Sequence, residues 1–298
     1  MPYPRPHRNT TLDGSTGLRR WPVRGMLTRA RTGGGRLRVG QAVIANRIGG
    51  GVGRLRDSVA RGLVRLGATP NALTVVGWAV TVTAGVLVSI GRLRAGGVVL
   101  FVAGAFDMLD GAVARVGDRR TDFGAFLDSS LDRIGDLAVF GGLAVHFCSL
   151  GNLTYTVLSI LALGAAEVIS YTRARAECLI DSCHVGFWER GERTMLIIVA
   201  LVVGRAAPAL WLLTVLPWFT VFHRVCYTRR QMAGGRADRS PSLPARVFFF
   251  SPRRGSLLYD LAAAAVLAAL LFLPIPRTDP LGRALNRTRL STTTQASP

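Results

Sequence analysis

Residues 107–132 read DMLDGAVARVGDRRTDFGAFLDSSLD, and this stretch with Asp136 holds seven of the chain's 17 acidic residues. Its two ends are set in apolar sequence, so several of these acids belong to hydrophobic helices. An ionisable group inside a bilayer costs about 2.5–3.5 kcal/mol even on the lenient insertion scale. Asp107 and Asp110 are three residues apart and share one helix face. Asp128 and Asp132 are four apart and share another. The connection 116–123 is short and polar, which predicts two antiparallel neighbouring helices whose acidic faces meet. Pairing with Arg115 and Arg133 accounts for two carboxylates, not four. Four converging carboxylates repel unless cations lie between them. Oxygen-only ligation suits Mg²⁺ or Mn²⁺, and two such ions about 4 Å apart are a recurring device for displacement at phosphorus. Gly111, Ala114, Gly124 and Ala125 surround the acids with small side chains, which let a ligand approach the backbone.

The rest of the chain supplies the membrane setting. Of 298 residues, 49% are apolar and only 18% are charged, with a mean hydropathy of +0.33. A soluble domain carries about 25% charge, so an ordinary cytosolic enzyme is excluded. So are a disordered chain, a collagen and a disulfide scaffold. The net charge is +20 and every basic residue is Arg. The four cysteines show no CxxC. Cys178, Cys183 and His184 lie close in sequence without a fourth zinc ligand, so reduced thiols are expected.

Apolar runs predict spans near 72–90, 93–115, 124–147, 154–176, 190–206 and 208–228, with Pro208 opening the last and Pro217 able to kink it. The expected fold is all-α: a polytopic six-transmembrane-helix bundle with an N-terminal interfacial amphipathic helix. That helix is read from Val52, Leu55, Val59, Leu63 and Leu66, with Arg54, Arg56, Arg61 and Arg65 between them. Residues 1–50 form a basic arm expected to be disordered, with no signal-peptide core and no nucleic-acid motif. Anionic lipid headgroups are its expected partner. Residues 51–230 are the transmembrane domain, and 231–298 a basic cytoplasmic region. The N-terminus and the acidic site are expected in the cytoplasm, although Arg92 and Arg94 then fall on the outer side. The run 257–274 could end the chain outside. Arg277, Arg283, Arg287 and Arg289 disfavour that, and an interfacial or re-entrant helix is expected.

The segment Asp107-x2-Asp110-Gly111-x2-Ala114-Arg115-x8-Gly124-x3-Asp128-x3-Asp132 resembles the signature of the CDP-alcohol phosphotransferase family, and every signature position is filled. The resemblance covers about 55–230. It implies six transmembrane helices, an interfacial N-terminal helix and frequent homodimers. It also implies transfer of a substituted phosphate from a CDP-linked donor, usually CDP-diacylglycerol, to an alcohol with release of CMP. On that resemblance Asp107, Asp110, Asp128 and Asp132 match the metal positions, with Asp132 also the proton acceptor. Gly111, Ala114, Arg115, Thr121 and Gly124 match donor contacts, as do Asn71 and Thr74 at the start of the first span.

Arg173, Arg175, Arg190, Arg193 and Arg224 stand at inner helix ends, and Arg forks bind phosphate well. Positive-inside flanking accounts for about half of them. A phosphorylated acceptor accounts for the set. Ile169–Glu177, Gly186–Arg193 and Leu131–Asp136 look like the phosphatidylinositol phosphate synthase branch, and archaeal ether-lipid enzymes share much of the pattern. In that branch the acceptor is inositol 1-phosphate, and residues matching Arg173, Arg190, Arg193 and Arg224 line its phosphate pocket. Arg173 stands where the branch often has Lys, and Gly191 where it has Pro. Glycerol 3-phosphate is the alternative acceptor. An ion-coupled transporter is the alternative from another class, against which no inverted repeat is seen.

Overall fold

The computed structural model describes residues 42–180, 183, 185–232, 257–272 and 279–283, with side chains from residue 53 onward except at 257 and 258. Residues 1–41 of the expected arm 1–50, residues 181, 182 and 184, all of 233–256, and 273–278 and 284–298 lie outside the described residues. Among the described residues there is no strand, and the long helices are eight. They are α1 (Ala42–Arg65), α2 (Pro70–Ser89), α3 (Leu93–Val116), α4 (Asp122–Ser149), α5 (Leu153–Glu177), α6 (Arg190–Val203), α7 (Ala206–Met232) and α8 (Leu257–Phe272).

Local chemistry explains the boundaries. Thr69 accepts a hydrogen bond from the Ala72 N–H, with Pro70 in the first turn, where its missing N–H is harmless. Thr121 and Asn152 cap α4 and α5 in the same way, accepting from Gly124 N and Tyr155 N. Pro208 sits in the first turn of α7, while Pro217 lies inside that helix and is buried. Gly204 closes α6 in the left-handed conformation at φ 76°.

Four helices, α2, α3, α5 and α7, are long and apolar enough to cross a membrane. The 28 residues of α4 are long enough to do so but carry the acidic cluster, and α6 has only 14 residues. The packing forms a closed ring: α2 on α3, α3 on α6, α6 on α7, α7 on α5, α5 on α4, and α4 on α2. The sequence led us to expect α3 and α4 to be principally each other's neighbours. Instead both pack on α2. The reason is visible at Gly85 and Gly142. A Cβ on Gly142 would stand 2.3 Å from the Gly85 carbonyl oxygen, so α2 and α4 touch backbone to backbone. The ring's interior holds fully buried Leu143, Ile169, Leu201, Leu210 and Leu213.

A smaller cluster joins α1 to the ring. Ala60 of α1 packs with Leu73 of α2 and with Ala112 and Val113 of α3, while Leu55 and Leu66 stay exposed. Thus α1 lies over the end of the bundle that carries the acids.

Candidate active site

The site begins in the first turns of α2. Capping by Thr69 sets the helix start, and that register places Thr74 one turn in, facing α3. The Thr74 hydroxyl donates to Asp110 Oδ2 at 2.8 Å. Asp110 is buried, whereas Asp107, one turn earlier on α3, is exposed. Asp128, from the second turn of α4, closes the group. One carboxylate oxygen from each of Asp107, Asp110 and Asp128 lies within 4.8 Å of the other two. Asp128 Oδ1 is buried and has no hydrogen-bond partner among the described residues. A carboxylate oxygen withdrawn from water without a donor is costly, and a cation is the ligand that relieves it. Three carboxylates, one of them with an orphaned oxygen, suit Mg²⁺ or Mn²⁺ and are the wrong set for a soft metal.

Asp132 stands one turn beyond Asp128 and meets a different partner. Arg190, the first residue of α6, bridges the two acidic helices: Nη2 lies 2.8 Å from Asp132 Oδ1 and Nη1 lies 3.3 Å from Asp107 Oδ1. Arg193 is buried, 3.7 Å from Asp136 Oδ2, and also reaches Ser170 Oγ at 3.5 Å. The arginines that compensate the acids are therefore Arg190 and Arg193, from a helix distant in sequence. The nearby Arg133 instead turns its guanidinium to the Ser129 carbonyl, and Arg115 is exposed.

These groups surround one open cavity of about 450 Å³, bounded by α2, α3, α4 and α6. Thr74, the acids from both helices, Arg190 and Arg193 all face it. The structure brings a second group of expected residues together beside it. A Cβ on Gly124 would stand 3.1 Å from Asn71 Oδ1 and 3.0 Å from Thr121 Oγ1, so the starts of α2 and α4 meet there. Thr121 is already occupied as the cap of α4. Gly111, Ala114 and Arg115 occupy the last two turns of α3, with Gly111 beside the Arg115 guanidinium.

Three of the expected arginines lie outside the cavity wall. Arg173 pairs with Glu177 and Glu189, at 3.0 and 3.4 Å. Arg175 is exposed. Arg224 is buried and donates to the Ile169 and Val185 carbonyls at 2.6 and 3.1 Å, tying α7 to α5 and to the segment before α6. Asp136 was not among the expected site residues, yet it lines the cavity opposite Arg193. Its signal was present in the sequence, because it stands four residues after Asp132 on the same face. Cys148, Cys178, Cys183 and Cys226 are free thiols.

Known proteins resemble this chain over the region that carries the site. A family model for CDP-alcohol phosphatidyltransferase matches residues 67–227, which contain the two acidic segments and Arg190. The archaetidylinositol phosphate synthase of Pyrococcus horikoshii is 32% identical over 180 residues, covering 60% of this chain and 93% of that protein. The phosphatidylinositol phosphate synthase of Mycobacterium marinum is 38% identical over 205 residues, covering 65% of this chain and 87% of that protein. The crystal structure of Mycobacterium tuberculosis phosphatidylinositol phosphate synthase with CDP-DAG bound superposes with a TM-score of 0.56 at 34% identity, covering 63% of this chain and all of that one. A second structure of that enzyme, in complex with manganese and citrate, gives a TM-score of 0.53 at 34% identity, covering 62% and 93% of the two chains.

Proposed function

The chain belongs to the CDP-alcohol phosphatidyltransferase family, and from that premise we propose that it moves the phosphatidyl group of CDP-diacylglycerol onto inositol 1-phosphate. The products are phosphatidylinositol phosphate and CMP. That the chain is a membrane transferase of phospholipid synthesis follows from the family. The observation that carries the finer reading is the pairing, in one cavity, of the three-carboxylate cluster with Arg190 and Arg193.

In this reading Asp107, Asp110 and Asp128, with Asp132 one turn on, would hold two divalent ions. Mg²⁺ or Mn²⁺ bound there would neutralise the donor's pyrophosphate and make CMP a better leaving group. The chain's own groups do the rest. Thr74 fixes Asp110 through its 2.8 Å hydrogen bond. Asn71 and Gly124, beside the Thr121 cap, leave room for the nucleotide to approach the backbone, and Gly111, Ala114 and Arg115 face its phosphates. Asp132 accepts the proton of the attacking hydroxyl as the new oxygen–phosphorus bond forms and the bond to CMP breaks. Arg190 orients Asp132 through the 2.8 Å ion pair. Arg190 and Arg193 together offer the planar donors that a phosphorylated acceptor needs. Arg173, through Glu189, and Arg224, through the Val185 carbonyl, brace the segment before α6 from outside the cavity, and Arg175 stays exposed.

The topology belongs to the same reading. In it α4 and α6 cross alongside the four longer apolar helices, a reading supported by their place in the closed ring, and α1 lies in the headgroup layer. Arg229 and Arg230 at the end of α7 keep the acidic face and the N-terminus in the cytoplasm. Two copies assemble as a homodimer.

The test is CMP release from CDP-diacylglycerol by the purified protein, with Mg²⁺ or Mn²⁺. Inositol 1-phosphate should support turnover, and free inositol should not. Turnover with glycerol 3-phosphate alone would reassign the acceptor. Absence of CMP release with every acceptor would return the acids to a transport role.

A further inference from the structure

We propose that α8 is a seventh membrane crossing, pinned at both faces, and that Tyr259 at its near end is a positioning residue for the turn that bears Arg190 and Arg193. The interfacial placement expected from the tail's arginines is thereby replaced.

The two faces are defined by the ring itself. Arg190 at the start of α6 is paired with Asp107 and Asp132, so this end of α6 belongs to the acidic face. Asp128 lies near the start of α4, whose 28 residues run about 42 Å to Ser149. The start of α5, two residues after Gly151, is therefore on the opposite face.

The two ends of α8 touch one face each. At its first turn, the Tyr259 hydroxyl donates to Glu192 Oε1 at 2.6 Å, and the Tyr259 ring packs on Phe187 with centroids 5.2 Å apart. Glu192 is in the first turn of α6, between the two arginines. Beyond the other end of α8, Asp279 caps α5. Its carboxylate accepts from the Leu153 and Thr154 N–H groups at 3.1 and 3.0 Å and from the Thr154 hydroxyl. Leu281 N–H returns a bond to Thr154 Oγ1 at 3.0 Å. The Thr154 hydroxyl bond, with the Gly282 N–H, holds the Asp279 carboxyl down to about 2, so the cap is charged at neutral pH.

Reach and packing agree. The 16 residues of α8 span about 24 Å, and the six residues before Asp279 can cover about 20 Å more. The hydrocarbon core is about 30 Å. Leu270 is fully buried in the main core and Val266 packs against it, so α8 lies along the bundle beside α7. Charge agrees as well. Residues 229–254, before α8, carry seven Arg, and residues 273–298, after it, carry four. The more basic flank stays with the acidic face.

Two measurements test the proposal on the full-length protein. The first replaces Cys148, Cys178 and Cys226 with Ser, keeps the buried Cys183, and introduces Ser291→Cys. A membrane-impermeant maleimide is applied to sealed vesicles of both orientations. Leu150→Cys marks the far face, and a variant retaining Cys178 marks the near face. Ser291→Cys should label in the vesicles that label Leu150→Cys. Labelling together with Cys178, from both sides, or only after detergent addition would overturn the crossing. If the thiol replacements disturb the protein, a C-terminal epitope read on intact cells gives the same two outcomes.

The second measurement is kinetic and rests on the acceptor reading above. Tyr259→Phe keeps the ring and removes the donor. The KM for inositol 1-phosphate should rise about fivefold, while kcat and the KM for CDP-diacylglycerol stay within twofold. Equal effects on both substrates, or none, would overturn the positioning role. Failure of the wild type to use any phosphorylated acceptor would instead refute the proposed function and leave the labelling result standing.

Discussion

Asp128 and Asp132 are one turn apart on α4, yet their surroundings separate their roles. Asp128 joins Asp107 and Asp110 and leaves a buried oxygen without a donor. Asp132 is engaged by the Arg190 guanidinium. Replacing Asp128 with Asn removes charge where a cation is needed, and Asp132→Asn removes the proton acceptor. Each should lower the rate of CMP release by about 10²-fold or more without changing the detergent-solubilised melting curve. Arg190→Lys keeps the charge but loses the fork that bridges two carboxylates. It should cost about tenfold in kcat/KM for the acceptor in the same assay, whereas Arg175→Lys, at an exposed position, should change it less than twofold. The acids were legible in the sequence because three- and four-residue spacings translate directly into a helix face. The arginines were legible only as a set. Arg190 meets Asp132 across a separation of 58 residues, which no local pattern encodes. Arg224 has the same sequence context as a flanking arginine but spends its donors on the Ile169 and Val185 carbonyls.

At the scale of the helices, the limits were readable from apolar runs closed by Thr69-Pro70, Thr121 and Asn152. The partners were not. A short loop between α3 and α4 implied direct pairing, but a small-residue seam on α2 competes for α4, and backbone contact wins. Gly142 is the place to test this. Gly142→Leu puts a side chain where Gly85 O already stands, so α2 and α4 must separate. The expected loss is about 1–3 kcal/mol of stability, read as a lower melting temperature in detergent. Because Thr74 and Asp128 sit on the separated pair, CMP release should fall as well. Gly141→Leu, one residue away and facing open space, should leave both unchanged.

For the whole molecule, the ring of six helices opens its cavity on one face, with α1 laid across the same end. Composition and hydropathy made the membrane setting plain. The closure of the ring and the route of α8 depend on contacts between residues more than a hundred positions apart, such as Thr154 with Asp279. Among the described residues, the cavity lining begins at Thr74, after α1. A chain lacking residues 1–41 should insert and release CMP within twofold of the full-length rate, read on proteoliposomes of equal protein content.

The claim on which the rest depends is that acids from α3 and α4 jointly hold divalent ions at the donor's pyrophosphate. Manganese titration of chelator-treated protein, followed by electron paramagnetic resonance with CMP release measured on the same samples, addresses it directly. Two ions should bind per chain, CMP release should rise with their occupancy, and Asp128→Asn should lose both signals. Full CMP release from metal-free protein, or undiminished manganese binding by Asp128→Asn, would contradict the account.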